Sequence, residues 1–159
     1  MGAAQRMVDA SDTVGELLTC EMGKTLRSGI GEVKNCGETL LAELDEMVHA
    51  FTSEVIEDEW TRSTLSYEPL GVCAVITPWN FPFSMPHWMI VPALMAGNTV
   101  VFKPSEETPL VGQAYADLLG AELPPGVLTT IHGADDQGRA LVASAVDLIA
   151  FTGSRSVGK

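Results

Sequence analysis

Four short, continuously apolar runs separated by helix-like spacers predict an α/β protein built on a doubly wound, mostly parallel sheet. The runs are Val72–Ile76, Val100–Phe102, Val127–Ile131 and Leu148–Phe151. Runs of this length without alternation suit parallel strands covered on both faces. The alternation of strand and helix along the chain gives the same class, with right-handed crossovers.

Taken in order, the first third reads as two helices. Met7, Ala10, Val14, Leu17 and Leu18 share one helical face, with Ser11 and Asp12 as an alternative start, and Gly23 stands at the stop. The second helix carries Ile30, Val33, Gly37, Leu40, Leu41, Leu44, Met47, Val48, Phe51 and Val55 on one stripe. A glycine on that stripe, such as Gly37, points to close approach of another backbone. Thr64–Tyr67 alternates with period two, as a half-exposed strand does, before Glu68-Pro69-Leu70-Gly71 breaks the pattern.

Between the apolar runs, Ser84 is expected to cap a helix over Met85–Met95 that ends at Gly97-Asn98, with a kink at Pro92. Thr108 with Pro109 opens the next helix, closed by Gly120. Asp135 or Asp136 starts a short one through Ser144. The resulting organisation is a helical lead over 1–56, an edge strand over 60–70, and a βαβαβαβ part over 71–159. The last strand runs into a helix start that is not completed by Lys159, so the chain is expected to be an incomplete domain.

Composition limits the partners. The 159 residues are 46% hydrophobic and 19% charged, enough for a packed core, and carry a net charge of −12. That charge argues against nucleic acid and anionic lipid as partners, since phosphates are bound through Lys and Arg. An anionic small molecule remains compatible, because amides at one helix start can hold a pyrophosphate locally. Cys20, Cys36 and Cys73 are odd in number and widely spaced, so neither a disulfide framework nor a metal site is expected. No signal peptide or spanning segment is legible, and the expected setting is the cytoplasm.

Ligands of open α/β sheets bind outside the carboxyl ends of the strands. Three loops qualify. In Thr77-Pro78-Trp79-Asn80-Phe81-Pro82, two prolines flank an asparagine whose carboxamide can donate to a developing oxyanion; a rigid turn is the alternative. In Lys103-Pro104-Ser105-Glu106, the ammonium and carboxylate can serve a ribose or phosphate; an exposed ion pair is the alternative. In Gly153-Ser154-Arg155-Ser156-Val157-Gly158, backbone amides can face a phosphate; a plain strand-to-helix turn is the alternative.

Jointly and in this order, the segments are more specific. Glu68-Pro-Leu-Gly-Val, Pro78-Trp-Asn-Phe-Pro, Ala96-Gly-Asn-Thr-Val-Val-Phe-Lys-Pro-Ser-Glu, Thr108-Pro-Leu and Phe151-Thr-Gly-Ser-x-x-Val-Gly resemble the aldehyde dehydrogenase superfamily. Glu21-Met-Gly-Lys resembles an early helical motif of the same family, and the semialdehyde-type members are the most similar. The resemblance implies the Rossmann-like, NAD(P)-binding domain of an oxidoreductase that converts an aldehyde to its acid, working as a homo-oligomer.

Roles follow position by position. Asn80 matches the oxyanion-stabilising asparagine that faces a thiohemiacetal on a catalytic cysteine. Ile76, Thr77, Pro78 and Trp79 match residues lining the cofactor cleft. Lys103 and Glu106 match contacts to the adenosine ribose, Gly133 an adenine-side loop glycine, Gly153 and Ser154 the pyrophosphate turn, and Val157 an adenine-packing position. An acidic Glu106 would repel a 2′-phosphate, so NAD is favoured, with NADP the alternative. In the family the nucleophilic cysteine and general-base glutamate follow the Phe-Thr-Gly-Ser segment, and no cysteine of this chain stands in for the nucleophile. The chain by itself is therefore read as a partial dinucleotide-binding fragment without turnover, or as a gene fragment without function.

Overall fold

A computed structural model describes residues 2–158. Met1 and Lys159, the end residues of the expected domain, lie outside the described residues. The elements are α1 (Gly2–Asp9), α2 (Ser11–Met22), α3 (Leu26–Ala50), β1 (Glu54–Glu57), β2 (Arg62–Leu65), β3 (Val72–Ile76), α4 (Ser84–Met95), β4 (Thr99–Lys103), α5 (Pro109–Gly120), β5 (Leu128–Thr130), α6 (Asp135–Val142) and β6 (Leu148–Phe151).

Four parallel strands form one sheet in the order β5-β4-β3-β6. The chain steps outward from β3 to β4 to β5, then returns to the far side of β3. With right-handed crossovers this reversal puts α6 on the face opposite α4 and α5. The pleat agrees. Cys73, Val75, Val100, Phe102, Leu128 and Ala150 join the main core, whereas Ile76, Lys103, Ile149 and Phe151 point to the other face.

The lead helices pack onto α4 and α5, forming a second helical layer over the core face. Tyr115 is fully buried there, with Phe83 edge-to-face at 5.1 Å and Phe102 at 6.3 Å. Close backbone contact underlies the layer: a Cβ on Gly37 would stand 2.7 Å from the Ala4 carbonyl oxygen. α2 ends at Gly23, whose φ of 76° is a left-handed cap that glycine adopts without a steric cost.

Several expectations are corrected. Among the described residues the lead holds three helices, because the first one divides at Ala10. α3 stops at Ala50, so Val55 belongs not to its stripe but to β1, which pairs antiparallel with β2. The Asp58 carboxylate makes that hairpin turn by accepting the Trp60 and Thr61 N–H groups at 2.8 and 2.7 Å. The buried face of α3 includes Glu32 and Cys36, while Leu41 and Val48 are exposed. Among the described residues, only β3 and β4 are strands covered on both faces; β5 and β6 are the sheet edges, with Leu148 and Ile149 exposed.

Helix starts also differ in their chemistry. Ser84 lies inside α4, not at its cap; the Glu32 carboxylate accepts the Phe83 and Ser84 N–H groups at 3.0 Å each. Thr108 does precede Pro109 at the start of α5, but its side chain makes no cap bond. The Glu21 carboxylate fills that role from α2, accepting from Leu110 and Val111. Two acceptors from the lead thus neutralise the orphan donors of both core-face helices. Pro92 lies within α4, which runs on to Met95. No described helix is long and apolar enough to cross a membrane.

Candidate functional site

The point where strand order reverses lies between β3 and β6, and a cleft of about 780 Å³ opens there on the α6 side. Its floor is one transverse row of the sheet. Ile76 is in register with Lys103 on one side and Phe151 on the other, so three C-terminal strand residues stand abreast on the same face. The loops leaving them are tied to their neighbours, with Thr77 N–H donating to the Lys103 carbonyl (3.3 Å) and Thr152 N–H to the Ile76 carbonyl (3.1 Å).

Of the residues singled out from the sequence, Ile76, Thr77, Pro78, Trp79, Lys103, Glu106, Gly153, Ser154 and Val157 all line this cleft. Asn80 does not; it is the exposed residue directly after Trp79, which does. Gly133 is also outside the lining, one residue before Ala134, which belongs to it. The Gly133 φ of 146° turns the chain from β5 into α6, a conformation a side chain would strain.

The polar end of the cleft is built by Lys103. Its side chain is 5% exposed and runs beside Gly138, and its ammonium donates to the Pro104 carbonyl at 3.2 Å. Glu106 lies 3.6 Å away and is half exposed, so the pair presents a donor and an acceptor side by side. Such a pair matches the two hydroxyls of a ribose. The apolar walls come from Ile76, Val142, Ile149, Phe151 and Val157, which suit the faces of a purine.

At the third side, Gly153 brings the turn against the Phe151 ring; a Cβ there would meet the ring at 2.5 Å. Val157 and Gly158 N–H both donate to the Ser154 carbonyl, and the Ser154 and Ser156 hydroxyls are 2.9 Å apart. The turn therefore brings two exposed hydroxyls to the cleft lining, while its Val157 and Gly158 amides are spent within the turn. The volume, apolar walls and localised polar corners fit a dinucleotide.

Sequence reasoning missed the α6 contribution of Gly138, Arg139 and Val142, and that of Phe151 from β6. The pleat held the signal for Phe151: two residues after Ile149, it had to share that residue's face. The thiols are remote from this chemistry. Cys36 and Cys73 are buried on the core face; burial pushes the Cys36 thiol up to about 11, and burial also raises Cys73. Cys20 is exposed on α2, in the layer over the opposite face of the sheet.

A family model described as the aldehyde dehydrogenase family matches residues 1–159. The chain belongs to the aldehyde dehydrogenase family. It is 38% identical over 156 residues to an N-succinylglutamate 5-semialdehyde dehydrogenase of Caulobacter sp. (strain K31), covering 96% of this chain and 32% of that protein. Among solved structures, betaine aldehyde dehydrogenase from Staphylococcus aureus in complex with NAD+ is 30% identical with a TM-score of 0.88. That match covers 99% of this chain and 33% of the other. The NADP-dependent glyceraldehyde-3-phosphate dehydrogenase from Bacillus halodurans C-125, complexed with NADP, is 28% identical with a TM-score of 0.88, covering 99% and 35%. This aldehyde dehydrogenase chain thus spans about a third of the length of such relatives.

Proposed function

We propose that the chain holds the dinucleotide for an enzyme that oxidises an aldehyde, of semialdehyde type, to its carboxylic acid. The observation that carries this reading is the Phe151–Ile76–Lys103 row flooring a cleft at the strand-order reversal. Lys103 and Glu106 bind the adenosine ribose through its diol, Gly153 and Ser154 receive the pyrophosphate, and Val157 packs on the adenine. Ile76, Thr77, Pro78 and Trp79 line the path toward the reacting end, with Gly133 shaping the adenine side. When bound, the nicotinamide supplies hydride acceptance.

Asn80 is the oxyanion donor of this scheme. Its carboxamide stabilises the negative charge that forms on the aldehyde oxygen when a thiolate adds to the carbonyl. Cys36 and Cys73 are unsuited to be that thiolate, being buried with raised pKa values, and Cys20 lies on the wrong layer. By itself the chain accordingly binds nucleotide without turnover.

NAD is the favoured cofactor. Glu106 sits beside the ammonium that would otherwise accept a 2′-phosphate, and its charge opposes one. Small-molecule aldehyde is the substrate class, and the enzyme is cytoplasmic and homo-oligomeric. Exposed apolar side chains on the β1–β2 hairpin, with Trp60 88% exposed at its turn, support self-association. The test is NADH formation from NAD and small semialdehydes by the product of the complete reading frame. Failure with every aldehyde offered would refute the proposed activity.

A further inference from the structure

One ammonium makes three contacts, two of them with the loop that carries Asn80. Lys24, at the junction of α2 and α3, pairs with the Glu32 carboxylate, donates to the Asn80 main-chain carbonyl at 3.0 Å, and lies 4.0 Å from the centre of the Phe81 ring. Glu32 completes the arrangement: its other oxygen accepts the Phe83 and Ser84 N–H groups. The Lys24 and Glu32 side chains are only 12% and 4% exposed.

We infer that Lys24 and Glu32 are positioning residues for Asn80, fixing the peptide that carries its carboxamide beside the cleft. This rests on the oxyanion role proposed above for Asn80. Pro78 and Pro82 already restrict φ on either side of the loop. The peptide joining Asn80 to Phe81 lies between them, and it is the one whose carbonyl Lys24 holds. A buried ion pair is weak evidence for stability, since apolar side chains of similar volume often serve as well. What the pair supplies here is direction, with a cation for the Asn80 carbonyl and an anion for the amides of residues 83 and 84. Loops that hold a reacting group need such support from groups behind them.

The test uses the isotope-labelled 159-residue chain, unmodified and as Lys24→Met and Lys24→Arg. In Lys24→Met the backbone order parameters at Asn80 and Phe81 fall from about 0.85 to below about 0.6. Hydrogen exchange of Ile90 and Val91 within α4 stays as protected as before, and Lys24→Arg restores the loop. An Asn80 that remains rigid in folded Lys24→Met overturns the inference; so does loss of α4 protection in parallel, as a purely structural cap would give. Should Lys24→Met not fold, the unmodified chain decides. A slowly exchanging Lys24 ammonium resonance scalar-coupled to the Asn80 carbonyl carbon is expected, and its absence overturns the tether. An NAD titration runs beside these measurements: no binding with an ordered, Lys24-dependent loop refutes the proposed function alone, and binding with a loop indifferent to Lys24 refutes the tether alone.

Discussion

The Glu21 carboxylate accepts the Val111 N–H at 2.8 Å, joining the last turn of α2 to the first turn of α5 across 90 residues of chain. Its second oxygen takes the Leu110 N–H at 2.9 Å. A glutamate near the end of one helix is thus the cap of another, with its charge against the positive end of that helix. Replacing Glu21 with Ala is expected to lower stability by about 1–2 kcal/mol, while Gln, which keeps an acceptor, costs less. Urea denaturation checks this: the midpoint should fall while the slope stays constant.

Two glycines in α3 should respond to alanine with opposite signs. A Cβ on Gly37 meets the Ala4 carbonyl oxygen at 2.7 Å, which is backbone and yields little. Gly37→Ala is therefore destabilising, by about 1–3 kcal/mol. Gly31 is exposed with nothing within 4 Å of its Cβ position, so Gly31→Ala gains helix propensity of up to about 1 kcal/mol. Thermal melts of the two variants give the signs directly.

Stability should decline on mild acidification through His87. Burial holds its imidazole below the ordinary value, and Glu43, 3.0 Å from Nε2, only partly opposes this. The unfolded chain then binds a proton before the folded one does. The contribution is present above the unfolded pKa of about 6.5 and is lost as pH falls from there toward the lower folded value. Unfolding free energies at pH 7.5 and at pH values stepping below 6.5 should show this slope, and His87→Gln should flatten it.

Glu106→Ser should shift nucleotide preference toward NADP. Removing one negative charge at the ribose corner relieves repulsion of a 2′-phosphate by about 1–2 kcal/mol at near-surface screening, roughly a tenfold change. Calorimetric titration with both nucleotides measures the ratio. An unchanged ratio would place the 2′-hydroxyl away from Glu106.

The fold class was legible because its signals are local. Val72–Ile76 and Val100–Phe102 are apolar without interruption, and both became strands covered on two faces. Val127–Ile131 and Leu148–Phe151 carry the same signal but form edges, since an apolar run cannot state how many neighbours its strand will have. The β1 strand was hidden because Val55 continues the helical spacing of α3, and only the Asp58 turn reveals the break.

For the cleft, the loops after β3, β4 and β6 could be named from the rule that ligands gather at strand ends. Gly138 and Arg139 could not, because their place depends on where α6 packs after the crossover. The roles of Glu21, Lys24 and Glu32 are likewise pairings between distant segments, and helical periodicity classifies such residues as polar surface or chance interruptions of a stripe.

Amide and side-chain shift mapping of the 159-residue chain during titration with NAD tests the cleft most directly. Saturable perturbations should concentrate at Ile76, Thr77, Lys103, Glu106, Ser154 and Val157. Shifts gathered instead around Gln113 and Asp117 on the opposite face of the sheet, or none at all at saturating nucleotide, would contradict it.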